Sequence, residues 1–199
     1  MFTIVAATKN EHKLEELKKM IGNIDNCEIV SLNKYPNYPD VEENGETFAD
    51  NAAIKALSAC QYCDVPAFAD DSGLCVEALD GAPGIYSARY APTDEERIAK
   101  LLKALDGEEN RRAKFVCAIS IASMGEVIET FIGEVHGVIT TEPHGENGFG
   151  YDPIFMPDGY DKTFAELGDD EKNKISHRAK AMEAAMEFID EEMSCLDDF

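Results

Sequence analysis

The sequence predicts an α/β fold built on a mixed sheet. Three observations carry that expectation. Short apolar, β-branched runs alternate with segments whose apolar residues recur every three or four positions. One pair of β runs, 113–122 and 126–139, is separated only by Met124-Gly125, a hairpin signal. The chain has 199 residues, 44% of them hydrophobic, which suits one globular domain with a sizeable core.

Residues 2–7 read as a buried strand, and Leu14, Leu17 and Ile21 place a helix over 11–22. Glu28-Ile29-Val30 is a second β segment. The stretch from Ser31 to Asn44, with Pro36 and Pro39, reads as a loop. A helix over 46–62 puts Phe48, Ala52, Ala56 and Ala59 on one face. Val65 to Ala69 reads as a strand that ends at Asp70-Asp71-Ser72-Gly73, and Leu79 to Pro92 as a structured loop. Thr93, with Glu96 three residues on, opens a helix over 94–105. Thr140 to Asp161 is glycine-rich and loop-like. Ile175, Ala179, Met182, Met186, Ile189 and Met193 mark a last helix with Ser176 as its N-cap.

Composition excludes several classes. With 18 Lys plus Arg against 40 Asp plus Glu, the net charge of −22 argues against a general nucleic-acid binder, which needs a basic face. No apolar run approaches the ~20 residues of a membrane-spanning helix, and the first residues do not read as a signal peptide. A cytoplasmic protein with no membrane partner is expected. The six cysteines then read as free thiols, and the lone C-x-x-C, Cys60 to Cys63, as the end of a helix. Of the four histidines none forms an H-x-x-x-H pair, no Walker A loop is present, and a serine nucleophile lacks its G-x-S-x-G.

Five segments carry chemistry. Thr8-Lys9-Asn10-Glu11-His12-Lys13 joins the first strand to the first helix, where free backbone N–H groups suit phosphate. Glu42-Glu43 precedes the helix carrying Lys55, a lysine on an apolar stripe that snorkels to water or meets an anion. Asp70 and Asp71 point to opposite faces of a strand, so one can face a site while the other supports the turn. A carboxylate there can hold Mg²⁺ or act as a general base. Gly148-Phe149-Gly150-Tyr151-Asp152-Pro153 sets aromatics and an acid in a glycine-flanked loop, where a ring can stack on a base. Lys172 to Arg178 is a basic island placed at the start of the last helix, against the helix dipole, where a bound anion would offset the cost. Together these are the parts of a magnesium-dependent nucleotide phosphohydrolase.

The same segments resemble the Ham1/inosine triphosphatase family almost end to end. The resemblance rests on Thr8-x-Asn10-x-x-Lys13, Glu46-Thr47-Phe48 with Asn51-Ala52 and Lys55, and Ala69-Asp70-Asp71-Ser72-Gly73-Leu74. It continues in Gly81-Ala82-Pro83-Gly84-Ile85-Tyr86-Ser87-Ala88-Arg89-Tyr90, Gly148 to Pro153 and Ser176-His177-Arg178. Lys9, Glu11 and His12 fill positions of the first loop that vary among relatives. The resemblance implies an elongated mixed β-sheet flanked by helices, with two lobes and a central cleft, in one nucleotide pyrophosphatase domain over 1–199. It implies hydrolysis of ITP, dITP or XTP to the monophosphate and pyrophosphate, with Mg²⁺ as cofactor and a homodimer as the assembly.

It also implies residue roles. Thr8, Lys9, Asn10 and Lys13 lie at the phosphates, with catalytic Lys55 nearby. Glu43 and Asp71 bind the metal, and Asp71 serves the attacking water. Ser72 touches the ligand. Phe149 stacks on the base, with Gly150, Tyr151 and Asp152 beside it. Lys172, His177 and Arg178 read the base or close over it. Two alternatives stand beside this reading: a Maf-like nucleotide pyrophosphatase, against which Ser176-His177-Arg178 and the Phe149 loop argue, and a nucleotide-binding regulator without turnover, which the paired Glu43 and Asp71 disfavour.

Overall fold

A computed structural model describes residues 2–8 and 27–196. The expected helix over 11–22, and with it Lys9, Asn10 and Lys13, lies outside the described residues. Six strands form one sheet: β1 (Phe2–Ala6), β2 (Cys27–Ser31), β3 (Ala67–Val76), β4 (Arg112–Ser123), β5 (Glu126–Ile139) and β6 (Phe155–Pro157), in the order β2-β1-β3-β4-β5-β6. The sheet is mixed, as expected. β1 runs parallel to β2 and β3, with Ile4 opposite Ile29 and Ala6 opposite Phe68, while β5 and β6 are antiparallel. Met124 and Gly125 turn β4 into β5 with φ of 53° and 81°, the positive pair that a two-residue hairpin of matching twist requires.

Among the described residues five helices accompany the sheet: α1 (Phe48–Cys63), α2 (Asp94–Ala104), α3 (Phe164–Leu167), α4 (Asp169–Ile175) and α5 (His177–Leu196). Both α1 and α2 start at capping boxes. The Thr47 hydroxyl accepts from the Asp50 N–H and the Asp50 carboxylate from the Thr47 N–H; Thr93 and Glu96 repeat the pattern. Among the described residues no helix is long and apolar enough to cross a membrane.

The chain divides into two compact units. One comprises 1–71, 117–133 and 178–199; the other comprises 72–116 and 134–177. In the first unit, strand alternation sorts two apolar layers. Ile4, Ala6, Phe68, Ile119 and Ile121 pack with Ala181, Met182, Ala185 and Ile189 of α5. Val5, Val30, Ala67, Ala69 and Ala122 pack with Ala56 and Ala59 of α1. In the second unit, Leu74, Val76, Phe115, Val135 and Ile139 gather with Ile98 and Leu101 of α2, Phe155 and Phe164.

Three expectations change. Asp70-Asp71-Ser72-Gly73 is not a turn at a strand end but the middle of the ten-residue β3, a strand that lies between β1 and β4 in the sheet. The last helix begins at His177, directly after Ser176 as expected, but the apolar run that marks it reaches back into a separate short helix. Ser176, with extended φ and ψ of −65° and 157°, breaks the periodic run into α4 and α5. Lys172 and Lys174 therefore sit in the last turn of α4, where the dipole favours cations, and not at a helix start. The stretch from Thr140 to Asp161 is mostly loop, yet Phe155–Pro157 adds a short edge strand to β5.

Candidate active site

The two carboxylates of β3 face opposite ways, as a period of two demands. Asp71 shares the parity of Ala67 and Ala69 and so faces α1. There it meets residues one turn apart: Asn51 Nδ2 donates to Asp71 Oδ2 at 3.3 Å, and Lys55 Nζ donates to Asp71 Oδ1 at 3.3 Å. Lys55 also lies 3.3 Å from a Glu43 oxygen. The lysine on the apolar stripe thus meets anions and does not simply snorkel. Burial works against its charge, yet the carboxylates of Asp70, Asp71 and Glu43 outweigh burial and hold the ammonium above its ordinary pKa.

Asn51 is fully buried, and sequence reasoning gave it no role. The Gly45 N–H donates to its Oδ1 at 2.9 Å. A backbone N–H can only donate, so the amide must turn its NH₂ towards Asp71. A Cβ on Gly45 would stand 2.8 Å from Asn51 Oδ1, so the bare backbone at that position is what lets the loop approach.

Asp70 shares the parity of Phe68 and so faces α5. Arg178, in the first turn of α5, donates from Nε to Asp70 Oδ2 at 3.5 Å, and both side chains are 3% exposed. Thr8 lies just past β1. The Ala7 N–H donates to the Phe68 carbonyl at 2.7 Å, tying this end of β1 to β3 two residues before Asp70. Ser72, half-buried, follows Asp71 directly. In this first unit Glu43 and Asp71 share Lys55, while Asp70, on the other face of β3, meets Arg178. Among the described residues no three His, Cys, Asp or Glu side chains converge as a metal cage. Two carboxylates beside one lysine, Glu43 and Asp71, are the kind of donor set that could hold Mg²⁺, which keeps water and substrate phosphate in its shell and takes only one or two carboxylates from the protein.

The second unit carries the aromatic loop. Phe149 is 37% exposed, flanked by Gly148 at φ 78° and Gly150 at φ 63°. Its N–H donates to Asp152 Oδ2 at 3.0 Å, and the same oxygen accepts from Lys172 Nζ at 2.8 Å. The Lys172 ammonium also sits 4.4 Å from the Phe149 ring centroid, a cation–π contact. Lys172 and Asp152 are each 4% exposed. The Gly150 N–H donates to Asp94 Oδ2 at 2.7 Å. Tyr151 turns its ring into the core and donates its hydroxyl to the Ser87 carbonyl at 3.0 Å, which steadies the loop from beneath. The His177 ring stacks on Phe115 at 4.8 Å and 10°. Phe149 and Gly150 also line a groove of about 520 Å³ with Ile98, Leu102 and Pro153. No lysine or arginine lines it, so it does not suit a triphosphate.

Each lysine and arginine of the island has a carboxylate: Lys172 has Asp152, Lys174 has Glu171 and Arg178 has Asp70. The charge that sequence reasoning reserved for a bound anion is thus met within the chain. Cys60, Cys63, Cys75 and Cys117 are free thiols, as expected.

A family model described as the Ham1 family matches residues 4–188. The chain belongs to the Ham1 family. A dITP/XTP pyrophosphatase of Staphylococcus epidermidis is 46% identical over 195 residues, 96% of this chain and 98% of that protein. One from Desulforamulus reducens is 48% identical over 191 residues, 94% of each. Two solved Ham1 proteins share the fold. The Coxiella burnetii protein superposes with a TM-score of 0.88 at 41% identity, covering 96% of this chain and all of that one. The Staphylococcus aureus Ham1 protein also scores 0.88, at 42% identity, covering 96% of this chain and 99% of that one. The mixed sheet with flanking helices is therefore a Ham1 fold.

Proposed function

We propose that this Ham1-family chain hydrolyses non-standard purine nucleoside triphosphates, dITP, XTP and ITP, to the monophosphate and pyrophosphate. The observation that carries the reading is Asp71, held between Asn51 and Lys55 beside Glu43, in a chain 46–48% identical to dITP/XTP pyrophosphatases.

The water oxygen bonds to the α-phosphorus and the bond to the bridging oxygen breaks. Pyrophosphate leaves with the electron pair, and Asp71 takes the proton of the water. Asn51 and Lys55 fix the carboxylate for that transfer. Lys55, with Thr8, Lys9, Asn10 and Lys13, holds the phosphates and stabilises their developing charge. Glu43 and Asp71 would hold Mg²⁺, which when bound neutralises the triphosphate and the leaving group. Ser72 contacts the ligand. In the second unit Phe149 stacks on the purine, with Gly150 and Asp152 at its edge and Tyr151 supporting the loop. Lys172, His177 and Arg178 read the base or close over it. A donor-rich site accepts the 6-carbonyl of hypoxanthine and xanthine and rejects the 6-amino group of adenine, whose N–H would meet another donor; guanine shares that carbonyl and must be rejected through its 2-amino group.

The 199 residues act as one nucleotide-hydrolysing domain in the cytoplasm, as a homodimer. Exposed Val127, Ile128 and Ile132 on β5 supply apolar surface of the kind a dimer covers. A net charge of −22 argues against a nucleic-acid partner and leaves room for a small anionic nucleotide only at a locally basic pocket.

Pyrophosphate release with Mg²⁺ from dITP, XTP, ITP, GTP and ATP at equal concentration tests the reading. Fast release from the first three, little from GTP and ATP, and loss on chelation are expected. Equal cleavage of all five would remove the base-reading roles. Binding without release would move the protein to the regulator class.

A further inference from the structure

Phe149 stands between two glycines at positive φ, the residues least able to fix a ring by backbone preference. Its orientation must come from ties to other elements. Three consecutive residues have one each. Asp152 takes the Phe149 N–H, the Ser87 carbonyl takes the Tyr151 hydroxyl, and Asp94 takes the Gly150 N–H from 56 residues away in sequence. Asp94 is the first residue of α2. One of its carboxylate oxygens accepts from Gly150; the other accepts from Arg97, one turn on. Arg97 is itself fixed, since its Nε donates to the Ala91 carbonyl at 2.9 Å. The Asp94 side chain is 40% exposed, so it adds little to the core, yet it closes the only tie on the Gly150 amide among the described contacts.

We propose that Asp94, braced by Arg97, is a positioning residue that sets the stacking angle of Phe149 and thereby the affinity for the purine. The inference rests on the stacking role given to Phe149 above. It predicts an effect on substrate capture and not on the phosphoryl step, because Asp94 belongs to the unit that holds the aromatic loop and not to the unit that holds Asp71.

The test is steady-state pyrophosphate release from dITP and XTP by the wild type, Asp94→Ala and Asp94→Asn. Loss of the tie should raise KM about tenfold in the alanine protein, the scale of ordering a mobile contact group, with kcat within about twofold of wild type. Asparagine keeps an oxygen for the Gly150 N–H, so it should recover most of that loss. Melting temperatures should differ by no more than about 4 °C. Wild-type KM in the alanine protein overturns the proposal. So does an asparagine variant no better than alanine, or a fall in kcat that tracks a fall in melting temperature. If the wild type releases no pyrophosphate, the assigned reaction fails, and calorimetric binding of inosine monophosphate to the same three proteins decides the positioning role. Binding about tenfold weaker in the alanine protein sustains it; equal binding overturns it.

Discussion

The two regions that carry chemistry are built by opposite means. Around Asp71, charged side chains do the work and regular structure aims them. The parity of β3 sends Asp71 towards α1, and helical spacing sets Asn51 and Lys55 one turn apart to receive it. Around Phe149 the backbone is irregular and side chains restrain it. Two glycines release the chain, and Asp152 and Asp94 hold successive amides. Reactive groups need fixed distances, which strands and helices supply from their own geometry. A stacking platform needs an exposed ring at a set angle, which the glycine-flanked loop supplies once it is tied down.

Removing a restraint in the loop should have the largest effect on the protein as a whole. Asp152→Ala deprives the buried Lys172 ammonium of its carboxylate and frees the Phe149 N–H, so it should destabilise by about 3–5 kcal/mol, the range for breaking a buried pair. Urea unfolding measures this, and a loss below about 1 kcal/mol would show that the loop does not depend on that pair.

Next is the reactive carboxylate. Asp71→Asn keeps the shape of the side chain, so nucleotide binding should persist while kcat falls by at least about 100-fold, the scale of a lost general base. Wild-type turnover would remove Asp71 from that role. Phe149→Ala should then weaken purines of every kind by about 1–3 kcal/mol, the value of stacking one base, with little change in kcat. An unchanged KM would end the stacking role.

The smallest effect concerns an exposed pair in the second unit, which contrasts with buried Lys172 and Asp152. Arg112 donates to both oxygens of Asp158, at 2.7 and 2.8 Å, and these hydrogen bonds hold the Asp158 carboxyl below its ordinary value of 3.8. A lowered folded pKa means that the stabilisation is present above the ordinary value and is lost as pH falls through the folded one. The difference in urea midpoint between the wild type and Asp158→Asn should therefore be constant down to about pH 4 and shrink below it. A difference that grew on acidification would contradict the pairing.

Much of both regions was legible in the residue order. The Thr93 and Glu96 spacing marked the start of α2, and Met124-Gly125 marked the hairpin, because caps and turns depend on local hydrogen bonds and φ angles. The family motifs marked Asp71, Lys55 and Phe149. The conformation of Asp70-Asp71-Ser72-Gly73 was not legible. Locally those residues favour a turn; pairing of β3 between β1 and β4 extends them, and Arg178 for Asp70 and Asn51 with Lys55 for Asp71 give their side chains distant partners. Ser176 marked the start of α5, but the separate short helix α4 before it was not legible, because the apolar period continues across Ser176 from Ile175 to Ala179. Asp94 gave no sign beyond being an acid in a first helical turn, since its partner is a backbone N–H 56 residues away.

Residue order was enough for the α/β class, the ends of α2, the hairpin and the family, because each is written in spacing between near neighbours or in ordered motifs. Tertiary structure alone decided which carboxylate meets which cation. Asp70 and Asp71 are chemically identical neighbours. Their partners differ because successive side chains of an extended strand leave on opposite faces, and the fold has put α5 on one face of β3 and α1 on the other.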